Sequence, residues 1–284
     1  MDAPESLVRL VRLESQRLEQ YLATLPPEAW TRPSACERWE VCDVVGHLVF
    51  WAEPYANAIL RAVQGDISPP EGWPPPGALA GQPMMDFIAE TALTCRKTLG
   101  DQLLDTFRST NEHLHRVLLG LAPQDWEKLS YHPARILSVR TRVETRLLEL
   151  AVHGWDICSK LEPVAHLSGE TLPVLSQRVG QLVVNSLGLG AFRLSQKRAK
   201  PARYRFALTD IISDGYDLVV EDDGCRMEPA VTAPPQVSFR LAAETFVLMG
   251  LGRLQMEAVI GDGRLTIEGD RSLANEFIGW LKRG

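Results

Sequence analysis

Apolar positions in the first half of the chain recur with a helical period. Residues 4–25 align Leu7, Leu10, Val11, Leu18, Tyr21, Leu22 and Leu25 on one face. Residues 40–62 repeat the pattern with Val41, Val44, Val45, Leu48 and Ala52, and Pro54 inside this stretch predicts a kink or a division. Six prolines and four glycines crowd residues 65–83, which predicts a long loop. A third helical pattern covers 84–121, and a fourth covers 137–161. Beyond residue 203 the period shortens to two. Tyr204, Phe206 and Leu208, then Tyr216, Leu218 and Val220, predict strands separated by Ser213-Asp214-Gly215 and Asp222-Asp223-Gly224. Val237–Leu241 reads as a strand and Ala242–Leu251 as a helix stopped by Gly252. Gly261-Asp262-Gly263 reads as a turn before the strand Leu265-Thr266-Ile267, and Leu273–Leu281 as a closing helix. The expected organisation is a helical domain over 1–163 and an α+β domain over 164–284.

One motif recurs. Leu25-x-Pro27-x-x-Trp30-x-x-x-Ser34 reappears as Leu121-x-Pro123-x-x-Trp126-x-x-x-Ser130, each time where a long helix ends. Two helix pairs so related would build a four-helix bundle. Two unrelated helix exits, which favour Leu and Pro, would give the same pattern.

Length and charge narrow the function. The chain has 284 residues, which suits two domains, with 45% hydrophobic and 23% charged residues. A formal net charge of −6, with no long basic cluster, argues against a nucleic-acid partner. No apolar run has the length of a membrane span, and the first residues lack a basic segment leading into an apolar one, so a cytoplasmic protein is expected. Five scattered cysteines without a C-x-x-C pair indicate neither a disulfide framework nor a thiolate zinc knuckle.

The candidate chemistry lies in the fourth helical pattern. Glu149 and His153 stand one turn apart, so a carboxylate and an imidazole share a face. Arg142, Arg146, Glu149, His153 and Asp156 form a narrow polar stripe on a helix that is otherwise apolar nearly all round. Such a stripe places polar groups inside, where they need partners. A Glu–His pair hydrogen-bonded at the bundle edge would satisfy the same spacing. His47 lies beside the apolar face of the second pattern, where a satisfied core histidine is the simpler reading. If the second and fourth helices face each other, His47, Glu149 and His153 become a two-His, one-carboxylate set. That set suits zinc or another divalent ion with an open fourth position. Asp43, one turn before His47, is either a carboxylate favoured by the helix N-terminus or an orienter of the His47 ring.

Trp30-x-x-Pro33-Ser34-x-Cys36-x-x-Trp39-x-Val41-x-Asp43-Val44-Val45-x-His47-Leu48, followed by Glu149-x-x-x-His153-Gly154-Trp155-Asp156, resembles the mycothiol-dependent maleylpyruvate isomerase family. That family belongs to the DinB-like metal-binding four-helix bundles. Phe246-x-x-x-Gly250 and Gly263-Arg264-Leu265-x-Ile267-x-Gly269-Asp270 resemble the sterol-carrier-like α+β domain that follows the bundle in this family. The resemblance implies a metal triad of His47, Glu149 and His153 holding Zn2+, with mycothiol as co-substrate. It implies a thiolate that adds to a cis double bond for maleylpyruvate-like isomerisation, or that is transferred to a small electrophilic substrate. Where relatives often have Gly before Trp39, this chain has Arg38.

Other residues carry weaker signals. Arg253 and Arg264, each beside a Gly turn, are candidates to hold a substrate or thiol carboxylate, with Arg240 behind them. His113-x-His115 is expected at the surface. His132, before Pro133 in the corner after the second Trp, is not expected to bind metal. Gln196-Lys197-Arg198-Ala199-Lys200 with Arg203 reads as a solvated linker. Two further functions fit the same residues: a hydrolase that uses metal-bound water without thiol, and a non-catalytic ligand-binding module with a structural metal.

Overall fold

Helix α1 (Pro4–Thr24) buries Leu7, Leu10, Val11, Leu18 and Leu22, the stripe expected of it. Helix α2 (Val41–Val63) begins in a capping box between Glu40 and Asp43 and runs unbroken through Pro54, so the expected division does not occur. The third pattern resolves into two helices. α3 (Gln82–Leu99) stops at Gly100, which takes φ 50, and α4 (Leu103–Leu119) restarts after a turn of 3-10 helix. The glycine supplies a backbone conformation that other residues rarely adopt. Helix α5 (Val139–Leu161) is capped by Ser138, whose hydroxyl accepts from the Thr141 N–H. This computed structural model describes residues 4–79, 81–186, 201–211, 215–221, 224–230 and 233–281.

Four of these helices close a ring in which α1 touches α4 and α5, and α2 touches α4 and α5. α1 and α2 lie across one diagonal, α4 and α5 across the other. The recurring motif accounts for the crossings. Each exit begins with a 3-10 turn, Pro27–Thr31 or Pro123–Asp125. In each, the motif serine is buried and donates to a returning carbonyl, Ser34 Oγ to Trp39 O and Ser130 Oγ to Leu137 O. An antiparallel pairing follows in each: the isolated bridge Pro33–Glu40, and the two-residue strands β1 (Leu129–Ser130) and β2 (Leu137–Ser138). The next helix starts one residue later. Neighbours in the ring therefore come from opposite repeats, and α2 meets α5.

α3 packs on the outside of α2. Their backbones approach at Gly46, where an added Cβ would sit 2.7 Å from the Ala92 carbonyl oxygen. Arg96 locks the pair by reaching Asp43 at 2.9 Å and Glu40 at 2.8 Å. The Pro-rich loop between α2 and α3 is tied down by Trp73, which meets Phe50, Trp51, Phe87 and Tyr131.

The chain divides into two compact units, Met1–Leu167 and Ser168–Gly284. The second unit contains helix α6 (Leu172–Ser186), which the sequence pattern does not signal. Its sheet has the order β5-β4-β3-β6-β7, from β3 (Ala202–Leu208), β4 (Tyr216–Glu221), β5 (Gly224–Pro229), β6 (Val237–Leu241) and β7 (Leu265–Gly269). β3 and β6 run parallel, and the other neighbours are antiparallel. Alternation along β3 sends Tyr204, Phe206 and Leu208 inward, where Phe206 meets Phe239, Phe246 and Phe277. The helices α7 (Ala243–Gly250), α8 (Met256–Gly261) and α9 (Arg271–Leu281) complete it. Residues 196–200 of the basic run, Ser213, Asp214, Asp222 and Asp223 lie outside the described residues. Arg203 from that run pairs with the buried Asp217 and with Glu228.

Two backbone positions invite opposite substitutions. Gly46→Ala is expected to destabilise the protein by about 1–3 kcal/mol, because neither backbone can move apart without losing the α2–α3 contact. Arg38 is exposed and holds φ 68, the left-handed region, where a Cβ costs energy. Arg38→Gly is expected to leave stability unchanged or raise it by up to about 1 kcal/mol. Urea unfolding of the two variants beside the parent protein checks both.

Candidate metal centre

The α2–α5 contact brings His47, Glu149 and His153 to one point. Glu149 Oε2 lies 2.7 Å from His47 Nε2 and 3.1 Å from His153 Nε2. The two imidazoles stand edge to face with centroids 4.9 Å apart. Trp39, from the hairpin before α2, lies 5.5 Å from His47 and 6.5 Å from His153, ring to ring. The histidine side chains keep 8% and 13% of their surface and Glu149 keeps 29%, so the glutamate is the most accessible of the three.

Asp156, one turn beyond His153, is completely buried, and its Oδ2 lies 2.9 Å from His153 Nδ1. The Cys36 thiol donates to the same oxygen at 3.0 Å. This pairing fixes the His153 ring with Nε2 toward Glu149. Asp43 does not orient His47. It accepts from the Glu40 N–H and from Arg96, as a carboxylate at a helix N-terminus does. His47 Nδ1 is buried with no hydrogen-bond partner among the described residues.

Electrostatics divides the three groups. Burial alone would push the Glu149 carboxyl up, but hydrogen bonds from His153 and His47 outweigh it and hold the group well below the usual range. Burial alone would lower His153, yet its bonds to Asp156, Cys36 and Glu149 raise it well above an ordinary imidazole. His47 is lowered, chiefly by burial.

The donor set tests whether an ion fits. Two imidazole nitrogens and a carboxylate oxygen lie within 4.8 Å of one another. All three point to a common centre, and one histidine already has the outer-shell carboxylate that metal-bound imidazoles use. This N2O set matches a divalent ion with a free position. Cys36, His153 and Asp156 form a second close group. Their proximity is explained by the hydrogen bonds Asp156 Oδ2 accepts.

The remaining candidates have partners of their own. Arg264 is held by Asp262 of its own turn at 2.6 Å, Arg253 donates to the Leu251 carbonyl, and Arg240 lies 3.9 Å from Glu268. His113 keeps 35% of its side-chain surface and pairs with Glu53, as a surface position does, whereas His115 is buried and departs from the surface expectation. His132 stacks on Trp51 and accepts the Ala134 N–H at Nδ1. Burial, with Arg142 and Arg135 nearby, lowers it to about 3. Sequence reasoning missed Cys36 as a neighbour of His153. Only the closing of the Pro33–Glu40 hairpin over α5, seen in the Ala35 N–H bonded to the Asp156 carbonyl, reveals it.

A diagonal-crossing helical bundle with an N2O donor set between two helices, followed by an α+β unit, defines a class of candidate metal-site proteins. Residues 11–158 match the mycothiol maleylpyruvate isomerase N-terminal domain, and the chain belongs to that family. Residues 194–282 match the SCP-2 sterol transfer family. The crystal structure of a mycothiol-dependent maleylpyruvate isomerase superposes with a TM-score of 0.60 at 15% identity, covering 94% of this chain and 93% of that one. A histidine variant of such an isomerase gives 0.61 at 14% identity, with the same coverage. An uncharacterized protein of Mycobacterium tuberculosis is 28% identical over 181 residues, which is 60% of this chain and 66% of that protein. No helix among the described residues is long and apolar enough to cross a membrane.

Linkage gives the pH behaviour of the chelator-treated protein. His153 has a raised folded pKa, so its contribution to stability is full below the ordinary imidazole pKa and is lost as pH rises through the folded value. Glu149 is depressed, so its contribution is present above the ordinary carboxyl pKa and is lost as pH falls through the depressed value. Asp156→Asn is expected to bring the His153 titration down, read from imidazole proton shifts in NMR. Metal loading is expected to release a proton and to tighten as pH rises through the His153 transition, checked by calorimetry in buffers of different ionisation heat.

Proposed function

We propose that the protein is a metal-dependent enzyme that activates a low-molecular-weight thiol, with mycothiol as the co-substrate. The observation that carries this reading is the convergence of His47 Nε2, His153 Nε2 and Glu149 Oε2 in a chain belonging to this isomerase family. His47, Glu149 and His153 would hold the ion, and zinc suits the donors. A bound zinc ion supplies a Lewis-acidic position that keeps a thiol sulfur as thiolate at neutral pH.

The chain's own groups prepare that position. Asp156 holds the His153 ring in place through Nδ1. Trp39 lies against both imidazole rings. Glu149 stays ionised and leaves the open side for the thiol. The thiolate then adds to the double bond of a cis-enedioate-type substrate, the new single bond rotates, and loss of the thiol gives the trans isomer. Transfer to another small electrophile uses the same thiolate. Arg253 and Arg264 are proposed carboxylate holders for substrate or thiol.

Cobalt-loaded protein titrated with mycothiol is expected to show a thiolate-to-cobalt charge-transfer band that glutathione does not give at equal concentration. His47→Ala or His153→Ala is expected to lose stoichiometric metal and at least 100-fold in turnover. Bound cobalt whose spectrum ignores every thiol, with turnover needing none, would replace this reading with hydrolysis by metal-bound water. Bound metal without any turnover of maleylpyruvate or electrophiles would leave a binding module.

A further inference from the structure

Helix α5 carries two arginines deeper in the bundle than its metal-ligand candidates. Arg142 and Arg146 keep 2% and 1% of their surface, as buried as any leucine around them. Both occupy the polar stripe that leads to Glu149, Arg146 one turn before it and Arg142 a turn further back. Neither forms an ion pair with a carboxylate among the described residues. Arg142 donates to Ser130 Oγ and to the Tyr131 carbonyl and lies over the Tyr55 ring. Arg146 donates from Nη2 to Asn111 Oδ1, and its Nε and Nη1 have no hydrogen-bond partner among the described residues. The Trp51 indole N–H, one turn beyond His47, is buried and has no hydrogen-bond partner among them either.

A buried guanidinium without a counter-charge costs several kcal/mol of desolvation, and neutral hydrogen bonds offset only part of that. The carboxylate that acts on Arg146, beside the Tyr55 phenol, is Glu149, and its Oε2 is already shared between two histidines. A divalent ion on the triad would bring two positive charges against the carboxylates of Glu149 and Asp156, so that with Arg142 and Arg146 the interior would carry excess positive charge beside a free ligand position. The unpartnered arginine atoms are sealed from solvent, so they act through their field and not by touching a ligand.

We propose that Arg146, backed by Arg142, makes the open metal position select anionic ligands over neutral ones. The class it favours is the small anion, a thiolate or a carboxylate-bearing electrophile. Arg146 is thus a positioning residue that works through Glu149 and the ion. The inference rests on the reading of His47, Glu149 and His153 as the metal ligands. It also explains why charge is kept at the cost of stability where an aliphatic residue would pack.

The test uses cobalt-loaded full-length protein, with thiocyanate as the anionic probe and imidazole, at a pH where it is neutral, as the uncharged one. The visible spectrum reports binding of each. Relative to cobalt in water, the parent protein is expected to shift preference toward thiocyanate. Arg146→Met and Arg146→Gln are each expected to weaken thiocyanate about tenfold, with imidazole binding and cobalt stoichiometry unchanged. Arg142→Met is expected to move in the same direction by less, since it lies a turn further away. Equal losses for both probes, or a loss confined to cobalt affinity, would overturn the inference, because a merely structural arginine predicts that pattern. The parent comparison needs no variant: no shift toward the anion overturns it even if every variant misfolds. Failure to bind cobalt would remove the metal reading and this inference with it. Bound cobalt that responds to thiols but shows no charge preference removes the inference alone.

Discussion

One carboxylate oxygen holds the centre of the bundle. Glu149 Oε2 is shared by Nε2 of His47 on α2 and Nε2 of His153 on its own helix. A carboxylate at that depth would ordinarily take up a proton, and the two imidazoles prevent it. His153 in turn stays in place because Asp156 holds its other nitrogen, and Asp156 is completely buried. The chain of dependence runs from the Cys36 thiol and the hairpin backbone, through Asp156, to His153 and Glu149. Polar groups in such a chain stand or fall together, because each is held by the next and the buried Asp156 lies at its middle.

That arrangement requires α2 and α5 to be neighbours, and the topology supplies it. Helices adjacent in sequence usually pack side by side through short loops. Here each pair is separated by a 3-10 turn and a small hairpin, long enough to carry the chain across the end of the bundle. Ser34 and Ser130 close those crossings by the same hydrogen bond at equivalent positions. The repeat therefore does structural and chemical work at once. It interleaves the two halves, and it delivers the histidine of one to the Glu–His pair of the other. The hairpin of the first repeat also lays Trp39 and Cys36 over the site it has helped to build.

Much of this was legible in the chain. The period of 3.6 located α1, α2 and α5 to within two residues, and the alternation in Tyr204, Phe206 and Leu208 located β3. The narrow polar stripe on α5 correctly implied buried polar groups. What the pattern could not resolve was local backbone conformation. Residues 84–121 keep helical character throughout, so only the φ of Gly100 divides α3 from α4. Pro54 signalled a kink or a division, and the division does not occur, since a run of buried residues around it carries α2 on as one helix. α6 escaped notice because it follows a loop and falls between two patterns. Asp156 was visible as part of the stripe, but its bond to His153 depends on rotamers and on Cys36, which arrives from far away in sequence.

The site's charges are more telling than its ligands. Surface arginines at Gly turns drew attention in the sequence, yet Arg264 is neutralised within its own turn and Arg240 faces a carboxylate across the strand pair. Arg142 and Arg146, in the interior on the helix that also supplies Glu149 and His153, have no carboxylate partner among the described residues. Stability alone gives no reason to keep them, since a hydrophobic residue of similar volume is generally no worse in a core. Beside a carboxylate already claimed by two histidines, negative charge arriving from outside would balance these arginines. An anion at the open side of Glu149, which is where the side chain retains exposed surface, is the partner that balances the interior.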